Sequence, residues 1–221
     1  MTKLAFIHTT QATVEPLNGL AQEMLPEWGY INIVDDTILP YLAVHPGDLE
    51  EAQQRLVWYA RFAEAGGAQV ILYACPSSGE AYQSARRELA APVLRVDEVA
   101  LEYAAVNARR IGVLATNDAA LSPALQLLFE KAPTNNGCLE VQPLLVEQAE
   151  RLLSGGDQAG HDVLLLDSLT HLAGQVELVV LAQVSLERIV PALPADLHPR
   201  VLSPARLSLV KVRQVYQETY A

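Results

Sequence analysis

Short runs rich in Val, Ile and Leu alternate along this chain with longer stretches whose apolar residues recur at helical spacing. Continuous apolar runs suit strands buried on both faces, as a parallel sheet requires, and the longer segments suit helices that bury one side. The pattern predicts strands at Lys3–His8, Tyr30–Val34, Gln69–Tyr73 and Pro92–Leu94, then at Arg110–Ala115, Leu139–Gln142, Glu177–Leu181 and Arg200–Leu202. Helices are expected over Val14–Glu27 with Thr13 as N-cap, over Leu49–Glu64 with Asp48 as N-cap and Gly66-Gly67 at its end, and over Ala205–Tyr220.

The two sets of strands superimpose as sequence. Leu4-Ala5-Phe6-Ile7-His8-Thr9-Thr10 matches Ile111-Gly112-Val113-Leu114-Ala115-Thr116-Asn117 at an offset of 107 residues, from 4 to 111. Ile71-Leu72-Tyr73-Ala74-Cys75-Pro76-Ser77 matches Val179-Val180-Leu181-Ala182-Gln183-Val184-Ser185 at an offset of 108, from 71 to 179, and Val93-Leu94 matches Val201-Leu202 at the same offset. Three matches at nearly one spacing, each ending in a polar loop, point to an internal duplication. The expected fold is α/β, with two pseudo-symmetric lobes, each a short, mostly parallel four-stranded sheet flanked by helices, and an active-site cleft between them. The lobes are expected at residues 1–95 and 96–203, with the crossover near Arg95–Asn107 and the terminal helix (204–221) packing back on the first lobe.

Composition narrows the functions. Half of the 221 residues are hydrophobic and the rest well mixed, which is the ordinary globular class. A net charge of −11 with three lysines gives no basic stripe for a phosphate backbone, so a nucleic-acid partner is not expected. The opening Leu4-Ala5-Phe6-Ile7 run is too short for a secretory h-region, and no apolar run reaches membrane-span length, so no membrane partner and a cytoplasmic location are expected. Two cysteines, Cys75 and Cys138, make no disulfide framework, and His45, His161, His171 and His198 lack metal-ligand spacing, so no metal is expected. Gly66-Gly67 precedes a strand instead of following one, which excludes a phosphate-cradling loop there.

In open parallel sheets, ligands bind beyond the carboxyl ends of the strands. The loops so placed are Thr9-Thr10-Gln11, Cys75-Pro76-Ser77-Ser78, Thr116-Asn117-Asp118 and Gln183-Val184-Ser185. They are rich in hydroxyl and amide donors suited to a carboxylate. Cys75 follows a buried strand and precedes what reads as the first turn of a helix, a position that favours a thiolate. His8, at a strand end, and Asp35 and Asp36, after the second strand, are secondary candidates whose ordinary roles are core packing and turn or helix capping. Cys138 sits at a turn away from these loops and is not expected to act.

With these motifs in place, the chain resembles the aspartate/glutamate/hydantoin racemase superfamily. The carrying residues are Tyr73-Ala74-Cys75-Pro76-Ser77-Ser78-Gly79, Val180-Leu181-Ala182-Gln183-Val184-Ser185 and the two-half repeat, and the resemblance covers nearly the whole chain. It implies an enzyme without cofactor that moves a proton at the α-carbon of a small carboxylate, placing one thiol on each side. Cys75 matches the first thiol, whereas Gln183 stands at the second, and an amide is no base near neutral pH. The reading is therefore an isomerase or racemase using Cys75 alone. Thr9, Thr10, Ser77, Ser78, Thr116, Asn117 and Ser185 would be carboxylate or oxyanion donors, and Gln183 would orient the substrate. A single-cysteine decarboxylase like arylmalonate decarboxylase, or a non-catalytic carboxylate-binding protein, are the alternatives. The resemblance also admits a homodimer.

Overall fold

The structure, a computed structural model, describes residues 2–45, 48–132 and 139–220. Cys138 lies outside them. The chain divides into two compact units, the first formed by Met1–Val96 together with Ala205–Ala221 and the second by Asp97–Pro204.

The first unit is a four-stranded parallel sheet of β1 (Lys3–His8), β2 (Gly29–Val34), β3 (Val70–Tyr73) and β4 (Val93–Arg95), in the order β2-β1-β3-β4. Successive residues of β1 serve opposite faces. Ala5 and Ile7 join Ile71, Tyr73 and Val93 in a core with Leu56, Ala60 and Ala63 of α3 (Leu49–Ala65) and Ala81, Tyr82 and Ala85 of α4 (Gly79–Glu88). Leu4 and Phe6 are fully buried on the other face. The remaining helices of this unit are α1 (Val14–Met24), α2 (Ile38–Val44) and the terminal helix, which runs Pro204–Tyr220. That terminal helix is tied to α1 and the turn after it by the Arg206–Glu23 pair and by Arg213 donating to the Met24 carbonyl.

The second unit repeats this plan. Strands β5 (Arg110–Ala115), β6 (Glu140–Leu145), β7 (Leu178–Leu181) and β8 (Val201–Leu202) are all parallel, in the order β6-β5-β7-β8. Their helices are α5 (Glu98–Asn107), α6 (Asp118–Lys131), α7 (Glu147–Ser154) and α8 (Gln158–Ala173), so the terminal helix is α9. Leu165, Leu169 and Leu172 of α8 pack on Leu114, Val179 and Leu181. Gly112 makes that packing feasible: a Cβ on it would lie 2.8 Å from the Leu172 side chain.

Some ends differ from the sequence pattern, each for a local reason. The β6 strand runs on through Pro143, which an edge strand tolerates because one of its sides needs no N–H. Neither Thr13 nor Asp48 caps through its side chain. Thr10 caps instead, accepting from the Ala12 N–H at the head of a 3-10 turn (Gln11–Thr13) that precedes α1, and Asp48 accepts from the Tyr41 hydroxyl. The residues after Cys75 form a 3-10 turn (Pro76–Ser78) before α4, and Gly79, at φ 45°, supplies the left-handed hinge between them.

Candidate active site

The carboxyl ends of β1 and β3 bring Thr9, Cys75 and Ser77 together. Cys75 heads the 3-10 turn in an extended conformation (φ −136°, ψ 136°), with its carbonyl accepting from the Ser78 N–H at 3.1 Å. The turn folds the Ser77 hydroxyl back so that it donates to Cys75 Sγ at 2.9 Å, and Thr9 Oγ1 lies 3.4 Å from Ser77 Oγ. Cys75 itself is half-buried, open enough to meet a ligand. Beside it, the Ser78 hydroxyl is buried and has no hydrogen-bond partner among the described residues. Leaving a buried hydroxyl unpaired costs about 1–3 kcal/mol, and such groups are where a bound acceptor restores what folding gave up.

The corresponding loops of the second unit repeat the backbone and change the chemistry. Gln183 heads its own 3-10 segment (Val184–Ala192) at φ −136° and ψ 139°, close to the conformation of Cys75. Its Oε1 accepts from the Thr116 N–H at 2.7 Å and lies 3.1 Å from Thr116 Oγ1. Because a backbone N–H must meet an oxygen, the amide orientation is fixed, and its NH2 has no protein partner among the described residues. The Thr116 hydroxyl donates at 2.5 Å to Glu150 Oε2 on α7, and Asn117 Nδ2 lies 3.4 Å from the same oxygen. Asn117 also caps α6 by accepting from the Ala120 N–H at 3.1 Å, as Thr10 caps its own turn. Ser185 is half-buried, and its hydroxyl makes no hydrogen bond among the described residues.

Of the secondary candidates, His8 and Asp35 are held by other side chains. His8 is fully buried, with Nδ1 2.7 Å from Thr13 Oγ1 and Nε2 3.0 Å from Asn32 Oδ1. Burial holds its pKa below 6.5 against the opposing Asn32 hydrogen bond. Asn32 gives its own NH2 to Asn18, so its oxygen receives Nε2–H of the neutral ring, while the Thr13 hydroxyl lies within reach of both His8 Nδ1 and the Thr10 carbonyl. Asp35 is buried and accepts from the Thr37 hydroxyl at 2.6 Å, the Tyr59 hydroxyl at 2.6 Å and Arg55 at 2.7 Å. Burial alone would raise its pKa. The Thr37 and Tyr59 hydrogen bonds and the Arg55 charge outweigh that and hold it below the usual carboxylate range. Asp36 is exposed.

Sequence reasoning passed over Glu150, which reads as one more charge on an amphipathic helix, and Arg95, which is buried at the carboxyl end of β4 with its guanidinium 5.7 Å from the Tyr82 ring centroid. Only the contacts of Glu150 with Thr116 and of Arg95 with Tyr82, between residues far apart in the chain, single them out. Among the described residues there is no group of three or more His, Cys, Asp or Glu side chains arranged to hold a metal, and no helix long and apolar enough to cross a membrane.

The family model described as Asp/Glu/Hydantoin racemase matches residues 6–212. The chain belongs to that family. Among solved structures, glutamate racemase from Francisella tularensis subsp. tularensis SCHU S4, in complex with D-glutamate, superimposes with a TM-score of 0.73 at 17% identity, over 98% of this chain and 81% of that one. Allantoin racemase from Klebsiella pneumoniae gives 0.70 at 17% identity over 100% and 90%. A glycine-to-cysteine mutant of arylmalonate decarboxylase, in a sulfate-associated form, gives 0.63 at 18% over 97% and 93%. At these identities the likeness is one of fold, and this racemase-family chain shares it across racemases and a decarboxylase alike. No curated protein matches the sequence.

Proposed function

We propose that this family member is a cofactor-independent isomerase acting at the α-carbon of a small carboxylate, with Cys75 as a proton-transfer thiol. The observation that carries the reading is the Cys75 loop: a half-buried thiol receiving a hydroxyl hydrogen bond, beside the buried hydroxyl of Ser78, which has no partner among the described residues. A carboxylate whose α-proton is being removed becomes an enediolate, and charge on its oxygens is stabilised by donors that are already in place. Ser78 and Ser77, Thr9 and Thr10, the free NH2 of Gln183, and Ser185 are the donors assigned to that work. Thr116 and Asn117 belong to the same proposed donor set, with Thr116 hydrogen-bonded to Glu150 and Gln183 and Asn117 to Glu150.

The test begins with solvent deuterium. Wild-type protein in D2O is incubated with a panel of small carboxylates bearing an α-hydrogen, including both hands of glutamate and aspartate, and exchange is followed by mass spectrometry. Cys75→Ala should abolish exchange from at least one hand; exchange unchanged in both would remove the thiol from the mechanism. Ser78→Ala should lower kcat about 100-fold, the order seen when one oxyanion donor is lost, while leaving the unfolding midpoint unchanged or higher, because the free protein loses an unpaired group.

Gln183 in place of a second thiol favours a second reading, in which one proton is delivered to one face after loss of CO2. Carbon dioxide release from arylmalonates, dependent on Cys75, would replace the first reading with this one.

A further inference from the structure

We propose that the Ser77 hydroxyl follows the negative charge through the reaction, holding Cys75 as a thiolate before proton transfer and turning to the substrate's enediolate oxygen once the sulfur is neutral. The inference rests on the α-carbon reading above and uses side chains of the first unit alone. A serine hydroxyl has one hydrogen. Ser77 gives it to Cys75 Sγ at 2.9 Å, and this is the one side-chain hydrogen bond to that sulfur among the described residues. Thr9 Oγ1 lies 3.4 Å from Ser77 Oγ, and because the Ser77 hydrogen is already directed at sulfur, Thr9 is the donor of that contact. Two hydroxyl dipoles therefore line up toward Sγ, from a buried Thr9 through a half-buried Ser77.

At the end of β1, His8 sits between Thr13 and Asn32, and after β2, Asp35 is held by Thr37, Tyr59 and Arg55 while Asp36 is exposed. Tyr73 on β3 donates to the Leu56 carbonyl, Arg95 on β4 lies against the Tyr82 ring, and Glu80 on α4 is exposed. None of these groups is hydrogen-bonded to Cys75 among the described residues. The sulfur is therefore met by a neutral donor that turns about a single bond, which a fixed cation could not do. The reaction balances as follows. The resting Cys75 thiol loses its proton to water. The thiolate then removes the α-hydrogen as a proton, the S–H bond forms as the C–H bond breaks, and the C–H electron pair enters the enediolate. Charge has moved from sulfur to oxygen, and rotation about the Cβ–Oγ bond of Ser77 carries its hydrogen from the one to the other. The buried Ser78 hydroxyl, which has no partner among the described residues, serves the enediolate alone.

Ser77 and Ser78 therefore differ in one readout. Alkylation of Cys75 by iodoacetamide over a pH series, followed on the Cys75 peptide by mass spectrometry, needs no substrate and reports the thiolate, whereas α-hydrogen exchange in D2O reports the enediolate. Ser77→Ala should displace the alkylation curve to the alkaline side. Near neutral pH its alkylation slows about threefold for each pH unit of displacement, because the lost thiolate fraction is partly offset by greater nucleophilicity, and its exchange falls about 100-fold. Ser77→Thr restores both, and Ser78→Ala lowers exchange while alkylating as wild type does, with circular dichroism confirming the fold of each variant. If Ser77→Ala alkylates like wild type across the series, Ser77 does not hold the thiolate and the inference falls, while Cys75→Ala still decides the α-carbon reading by its own exchange. If Ser77→Ala slows exchange no more than alkylation, the hydroxyl does not pass to the enediolate and the inference falls as well. If Cys75→Ala exchanges as wild type does, or wild type exchanges nothing, the underlying reading falls and this inference with it.

Discussion

The loops after β1 and β3 and those after β5 and β7 are built on nearly the same backbone and carry different chemistry. Cys75 and Gln183 share φ and ψ to within a few degrees, yet one is a thiol receiving a weak hydroxyl contact chain and the other an amide pinned by a backbone N–H. In the first unit the donors are left over: Ser78 is buried and unpaired among the described residues, and Thr9 reaches Ser77 only at 3.4 Å. In the second they are consumed, by Glu150 and Gln183. A duplicated scaffold fixes where side chains emerge, while the residue at each position decides whether that place is poised for a ligand or satisfied by the protein itself.

The largest stability effect should come from the carboxylate that the first unit buries. Asp35→Ala leaves Arg55 and two hydroxyls without their acceptor and should cost about 2–3 kcal/mol in urea unfolding, less than a fully buried pair because Arg55 is a third exposed. Both tryptophans, Trp28 and Trp58, lie in the first unit, so their fluorescence follows that unit. Asp35 also gives the protein an acid limb. Its folded pKa is lowered, so its contribution is fully present above about 3.8 and is lost as pH falls through the folded value. Asp35→Asn should flatten that limb, and an unchanged limb would show the charge to be unimportant.

Gly112→Ala comes next, at about 2 kcal/mol, since the added methyl meets Leu172 in a filled core. Ala5, which holds the matching place in β1, is the control: Ala5→Gly should cost about 1 kcal/mol. Equal and small effects at both positions would mean that the two sheets tolerate helix packing alike. Thr116→Val should destabilise the second unit by about 1.5 kcal/mol by removing a charge-assisted donor, whereas Thr9→Val should change stability by less than about 0.5 kcal/mol, its contact being long. Circular dichroism in urea compares the pair, and a Thr9 effect as large as the Thr116 effect would overturn the contrast between satisfied and poised loops.

The smallest effect belongs to His8. Its folded pKa lies below 6.5, so the unfolded chain binds the extra proton; stability is complete above about 6.5 and declines as pH falls below it. His8→Gln should remove that slope in Trp-detected unfolding between pH 7 and pH 5.5, and persistence of the slope would assign it to another group.

The sequence by itself determined the strand set, the parallel α/β class and the duplication, because buried parallel strands must be continuously apolar and the two runs of them recur at one spacing. It also named the loops at which Cys75 and Gln183 stand. Tertiary structure alone decided which polar groups meet. Glu150 lies 34 positions from Thr116 in the chain and Tyr59 lies 24 from Asp35, and no local pattern encodes either hydrogen bond. Whether a hydroxyl such as Ser78 is left without a partner is likewise a property of packing, since it depends on every neighbour that folding brings near or keeps away.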